Sequence, residues 1–257
     1  MKQKVAVANS GNISASQMKE FWRKVEDGTI DGERFQAFLE NPKKFSKGLT
    51  IVRAINILGT NKVITAEATA KAWGMEAPKS AAIRYSEEIL CECANENQSG
   101  KSDWRLVYIN GLSLREQREK RGTDKTKQPC FYNNDWWLQK PEDSWATKKP
   151  EAGYYLINFC GQFASMNWQA QEAEIAKLGS GYERCHETIF AEAILTIYMV
   201  NNGERIAENW YHWSALASSG GYRVVVGFFD SNGLGVGGFQ ASSVGHFRVA
   251  LARKFAF

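Results

Sequence analysis

The sequence predicts an α+β protein, with an N-terminal helical extension over 1–48 and a larger domain over 49–257 that ends in an antiparallel β-meander. Three observations predict it. Apolar residues recur at helical spacing near the N-terminus, and strand-length apolar runs alternate with helical patterns in the middle. From Asn209 onward Lys is absent until Lys254 and Glu is absent altogether, while nine of the 22 glycines fall at or after Gly203.

Composition excludes several classes. The hydrophobic fraction is 44% and the charged fraction 23%, as in ordinary globular chains. The most apolar stretch, 188–200, contains Glu192 and is shorter than the roughly 20 residues of a membrane helix, so no transmembrane segment is expected. The first nine residues are basic but carry too few apolar side chains for a secretory h-region. Synthesis inside the cell is expected, and display on a surface would need an export route. A net charge of +4 is too mild to argue nucleic-acid binding by itself. Five cysteines, an odd number with no framework spacing, read as reduced thiols. With three histidines in all and Cys185-His186-Glu187 pointing apart on a helix, neither metal nor cofactor is expected.

Ser14 and Ser16 can cap a helix through Phe21, Trp22 and Val25, and a second helix follows with Phe35, Phe38 and Leu39 before Asn41-Pro42. The pair fits a hairpin expected to pack on the main domain, an oligomerisation or docking element being the weaker reading. Val52, Ile55, Ile57, Leu58, Val63 and Ile64 lean toward strand, 66–73 toward helix, and 83–93 fits either. A strand is expected at 104–109. The Lys/Arg-rich run 115–127 reads as a solvated helix or loop, with nucleic acid the weaker reading. Phe131, Tyr132, Trp136, Trp137 and Trp145 stand in an irregular stretch expected to plug onto the core, a stacking surface for sugars or bases being the weaker reading. A strand is expected at 153–160, an amphipathic helix at 165–178 and the strongest helix at 182–200.

The C-terminal segment is read as strands at 222–229, 234–240 and 247–253, the first two joined by Asp230-Ser231-Asn232-Gly233 with Asn-Gly supplying positive φ angles. Gly235, Gly237 and Gly238 weaken the second strand, so something else must support it.

The motifs Trp210-Tyr-His-Trp213-Ser214-Ala215, Gly221-Tyr222-Arg223-Val224, Gly227-Phe-Phe-Asp230-Ser231, Gly233-Leu234-x-Val236 and Arg248-Val-Ala-Leu-Ala-Arg-Lys-Phe255 resemble the variable proteins of diversity-generating retroelements, most closely the archaeal, AvpA-like branch. The helix through Ile189 and Tyr198 fits as well. The resemblance implies a C-type-lectin fold whose C-terminal surface, about 210–248, binds ligand. It further implies that a reverse transcriptase rewrites adenines in that segment. Adenine mutagenesis of AAC or AAT codons cannot yield Lys, Glu, Gln, Met or Trp. Residues 214–247 contain none of these except Gln240.

Such a surface cannot depend on its variable side chains for folding. The expected scaffold is Trp210, Trp213, Tyr222, Val224, Val226, Leu234, Val236, Val249 and Leu251. Strand alternation then gives one buried and one exposed face. The expected ligand-binding positions are Leu216, Ser218, Ser219, Gly220, Gly235, Gly237, Gly238, Phe239, Ala241, Ser242, Ser243 and His246, with Asp230 assigned to the turn.

The expected function is therefore ligand binding without catalysis, the partner being a protein on another cell or virus surface. A non-diversified enzyme of the formylglycine-generating fold is one alternative. It needs a cysteine pair near the C-terminal site, and no Cys follows Cys185. A calcium-dependent sugar lectin needs a proline-containing motif there, and no Pro follows Pro150.

Overall fold

The computed structural model describes residues 15–26, 28, 49–139, 144–217 and 221–255. The chain forms two compact units that divide after Gly48. In the first, α1 (Ala15–Glu26) carries the Phe21–Trp22 edge contact and a surface Arg23–Glu20 pair. The helix expected around Phe35, Phe38 and Leu39 lies outside the described residues.

The second unit is α+β. In chain order it contains α2 (Ile51–Leu58), β1 (Val63–Ile64), α3 (Ala66–Trp73), α4 (Glu87–Gln98), β2 (Trp104–Ile109) and α5 (Leu114–Arg121). It continues through β3 (Gly153–Gln162), α6 (Trp168–Lys177), β4 (Tyr182–Arg184), α7 (Glu187–Val200), β5 (Tyr211–Ala217), β6 (Arg223–Asp230), β7 (Gly233–Phe239) and β8 (Phe247–Arg253). No described helix is long and apolar enough to cross a membrane.

Caps decide where several helices begin. Thr50, Thr65, Ser86, Ser113 and Asn167 each accept a backbone N–H in the first turn, and Ser113 and Glu116 form a complete capping box. The cap at Thr50 corrects the strand reading of Val52, Ile55, Ile57 and Leu58. Ala54 and Leu58, four residues apart, face the core while Val52 is exposed, so packing overrides β-branched propensity. Within 83–93 helix prevails from Glu87. The long helix begins at Glu187 rather than 182, because residues 182–184 pair with β8 and His186 takes the N-cap.

The sheet runs β1-β2-β3-β8-β5-β6-β7, with β4 also paired to β8. The β1–β2 and β5–β8 pairs are parallel and the others antiparallel. The expected meander is therefore corrected at its last strand: β8 sits centrally, between β3 and β5, and does not pair with β7. Its apolar run explains the choice, since Val249 and Leu251 join one core cluster and Ala250 and Ala252 the other. A strand buried on both faces belongs inside a sheet.

β2 has the same property. Trp104, Leu106 and Tyr108 face one cluster and Val107 and Ile109 the other. Helix α7 is buried continuously from Glu187 to Ile197 and fills the larger cluster. Its Glu192 carboxylate accepts the N–H groups of Asn110 and Leu112, at 2.5 and 3.1 Å, and so fixes the exit of β2.

Candidate functional site

The β6–β7 hairpin turns at Ser231-Asn232. Asp230 holds it by accepting the Asn232 N–H at 2.7 Å and its side-chain amide at 3.1 Å, as its assignment to the turn requires. Only Gly233 takes a positive φ (104°) there; Asn232 does not.

The glycine-rich β7 is supported by the aromatic loop. The Cys130 carbonyl accepts the Leu234 N–H at 2.8 Å, and the Tyr132 N–H donates to the Leu234 carbonyl at 2.9 Å. Asn134 Nδ2 and Trp136 Nε1 both donate to the Val236 carbonyl at 3.2 Å. Phe131, Trp137 and Trp145 are buried beneath this contact. The loop thus covers an edge that would otherwise present unpaired backbone.

Eight of the nine expected scaffold side chains are buried as expected: Trp210, Trp213, Val224, Val226, Leu234, Val236, Val249 and Leu251. Tyr222 is a correction. It is 45% exposed, because β6 begins one residue later and Tyr222 stands beyond the last inward position of the ladder, beside Gly238.

The expected exposed face is also corrected. Val225 is fully buried, under a second aromatic layer formed by Trp213 and Phe247, whose rings lie 4.4 Å apart, with Trp168 and Tyr211 packed against them. Gly235 and Gly237 lie beneath this layer. A Cβ at Gly235 would stand 3.0 Å from Tyr211 Oη and from the Gly227 carbonyl, and one at Gly237 would stand 3.1 Å from Phe239 and Val225. Gly235 is buried and Gly237 half-buried, so glycine here makes room for rings rather than leaving a recess open to solvent.

The remaining candidates form a rim. Phe239, Ser242 and His246 are exposed, while Leu216, Gly238, Ala241 and Ser243 are half-buried. Ser218, Ser219 and Gly220 lie outside the described residues. Phe239 packs edge-on against Phe247 at 4.9 Å and His246 against Phe228 at 5.7 Å. Trp168 anchors the rim. Its N–H donates to the Ala241 carbonyl at 3.0 Å and its indole N–H to the Ser214 carbonyl at 2.9 Å.

Beside the rim lies a cleft of about 270 Å³, lined by Tyr132, Asn134, Tyr211, Phe228, Asp230, Asn232 and Gly235. A bulge between Gly227 and Asp230 forms it. Phe228 sits there at φ 45°, a strained conformation for a bulky residue, with its ring 4.6 Å from that of Tyr211. Burial foremost, then the neighbouring Tyr132 and Asp230, pushes the Tyr211 phenol above its ordinary pKa.

Sequence reasoning missed Trp168, Tyr211 and Phe228 as parts of this face and offered Tyr132 only through the weaker stacking reading of the aromatic stretch. Their only signal was aromaticity, which core positions share.

Beneath the face, His212 is fully buried and neutral. Its Nε2 lies 2.7 Å from the Cys185 carbonyl and its Nδ1 accepts the Ala250 N–H at 3.1 Å, so one ring ties together β5, β8 and the entry to α7. Burial, aided by Arg184, pushes its pKa down to about 3.

Among the described residues no three His, Cys, Asp or Glu side chains are grouped to hold a metal, and all five cysteines are free. Much of the basic run is engaged by its own chain. Arg118 pairs with Asp135, Arg121 lies 5.5 Å over Trp73, and Lys125 donates to Asn232.

Comparison with known protein families, with curated proteins and with solved structures finds no match.

Proposed function

We propose that this chain is a non-catalytic ligand-binding protein with a C-type-lectin-like fold, and that its C-terminal surface is the diversified site of a retroelement variable protein. The partner is a macromolecule, a protein on another cell or virus surface. One observation carries the reading. Gln240 apart, the rim positions among 214–247 carry residues from the set that adenine mutagenesis can write, whereas Val224, Val226, Leu234 and Val236, with Trp213 just before them, lie in the core. A surface built this way can change while the fold persists.

The reading also sets limits on what diversification can touch. Gly227, Gly233 and Gly235 belong with the templated scaffold, because a Cβ at each would meet backbone of the loop or of a neighbouring strand. The rim proper is Leu216, Gly238, Phe239, Ala241, Ser242, Ser243 and His246, joined by Tyr222.

Sequencing of the flanking DNA tests the proposal. A near-copy of the 3′ coding segment, differing at adenines and lying beside a reverse-transcriptase gene, is the expected finding. Absence of any such copy from the complete genome would sink the diversification reading.

A further inference from the structure

The cleft beside the rim has a chemistry of its own. Tyr211 and Phe228 form one wall, and Tyr132, 48% exposed, forms another. Asp230 contributes a carboxylate whose neighbours in the turn are the main-chain and side-chain N–H groups of Asn232. Among the described residues no cation pairs with Asp230, and neither the Tyr132 nor the Tyr211 hydroxyl has a hydrogen-bond partner. The two nearby cations are occupied. Lys125 Nζ donates to Asn232 Oδ1 at 2.7 Å, and Arg205 donates to backbone carbonyls of Phe229 and Asp230 while lying over the Phe229 ring at 4.7 Å.

The cleft therefore collects two phenol oxygens, one carboxylate and the faces of aromatic rings. All of these favour a positive group that can donate hydrogen bonds. Its volume suits a single side chain or small head group rather than a drug-sized ligand. Phe228 stands within the bulge at φ 45° with its ring 4.6 Å from that of Tyr211, so this wall is a pair of rings.

We infer that this cleft binds an organic cation, the guanidinium or ammonium group of a basic side chain on the partner, held between Tyr132 and Tyr211–Phe228 and paired with Asp230. The inference rests on reading this face as a binding surface and names the chemistry it takes. It does not depend on diversification.

The test uses the full chain, isotope-labelled for NMR, titrated with Nα-acetyl-argininamide, with its neutral citrulline analogue and with methyl α-glucoside. The arginine probe should shift the Tyr211 and Gly235 amides saturably, and added salt should weaken it. The citrulline analogue should shift them little. Asp230→Asn keeps an oxygen to accept the Asn232 N–H and should weaken the arginine probe about tenfold, the effect of losing roughly 1.4 kcal/mol. Tyr132→Leu, at an exposed side chain, should weaken it several-fold and carries the test if Asp230→Asn fails to fold. Equal binding of arginine and citrulline probes, undiminished binding by both variants, or no shift at the cleft overturns the inference. Binding of the glucoside alone overturns it too, and makes the cleft a sugar site. A failed titration leaves the flanking-DNA test untouched, and a missing DNA copy leaves this cleft standing.

Discussion

The Arg223 guanidinium lies 3.9 Å above the centre of the Trp168 ring. Arg223 opens β6 and also donates to the Ala215 carbonyl, while Trp168 opens α6 and holds the carbonyls of Ser214 and Ala241. One stacked pair therefore gathers the end of β5, the start of β6 and the loop after β7. These are the segments from which the rim is built.

Trp168→Ala should loosen that rim without unfolding the core. Cation–π stacking is worth about 0.5–2 kcal/mol, and the Ser214 carbonyl loses the indole N–H, while the backbone N–H at 168 still holds the Ala241 carbonyl. Hydrogen exchange should accelerate in 214–217 more than in 241–246, while α7 remains protected. Unchanged exchange in 214–217 would show that this part of the rim is held by other contacts.

Scaffold and rim should respond oppositely to substitution. Replacing Ser242, Ser243 and His246 together should change stability by less than about 0.5 kcal/mol per site. Trp213→Ala removes a fully buried ring stacked on Phe247 and should cost about 3–5 kcal/mol. Thermal melts of the two variants beside the parent decide the matter. A rim variant that melts lower than Trp213→Ala would make the rim part of the core.

Two glycines with positive φ separate strain from collision. A Cβ at Gly227 would lie 2.2 Å from the Trp210 carbonyl, whereas one at Gly221 meets nothing within 4 Å. Gly221→Ala should cost about 1–2 kcal/mol, the left-handed penalty alone. Gly227→Ala should cost clearly more and displace β5 from β6. Equal denaturation midpoints would mean that the close approach at Gly227 relaxes freely.

Stability should fall as pH rises from about 4.5 to 7 through Glu187. This carboxyl is fully buried at the start of α7, and burial pushes its pKa up to about 7. His186 Nδ1 accepts the Thr188 N–H and lies 3.2 Å from Glu187 Oε1, so two acceptors face each other unless Glu187 carries a proton. The folded chain then binds a proton that the unfolded chain releases, and its stabilising effect is lost on approaching neutral pH. Glu187→Gln should reduce this slope, leaving the share of Glu192, the other buried carboxyl of α7, which burial also pushes up to about 7. His212, with its pKa pushed down, acts in the opposite sense, since below about 6.5 the unfolded ring gains a proton that the folded one refuses. A profile with the same slope in Glu187→Gln as in the parent would rule Glu187 out as the source.

Local pattern was enough for much of the hairpin. Val224 and Val226 alternate on β6 and Leu234 and Val236 on β7, Val226 pairs with Val236, and Asp230 with Gly233 marks the turn between them. The strand at Trp104–Ile109, the helix at Ala66–Trp73 and the aromatic plug around Trp137 were also legible, because each depends on a few consecutive residues. So was the compositional bias of 214–247, which needs no coordinates. Tertiary structure alone decided that β8 sits between β3 and β5, that Val225 is roofed by Trp213 and Phe247, and that Tyr132 meets Asp230 across a cleft. Those arrangements join side chains separated by long stretches of chain. A strand's neighbour and the cover on its second face are chosen by which distant apolar surface is still unburied when the elements assemble, and no local window of sequence carries that information.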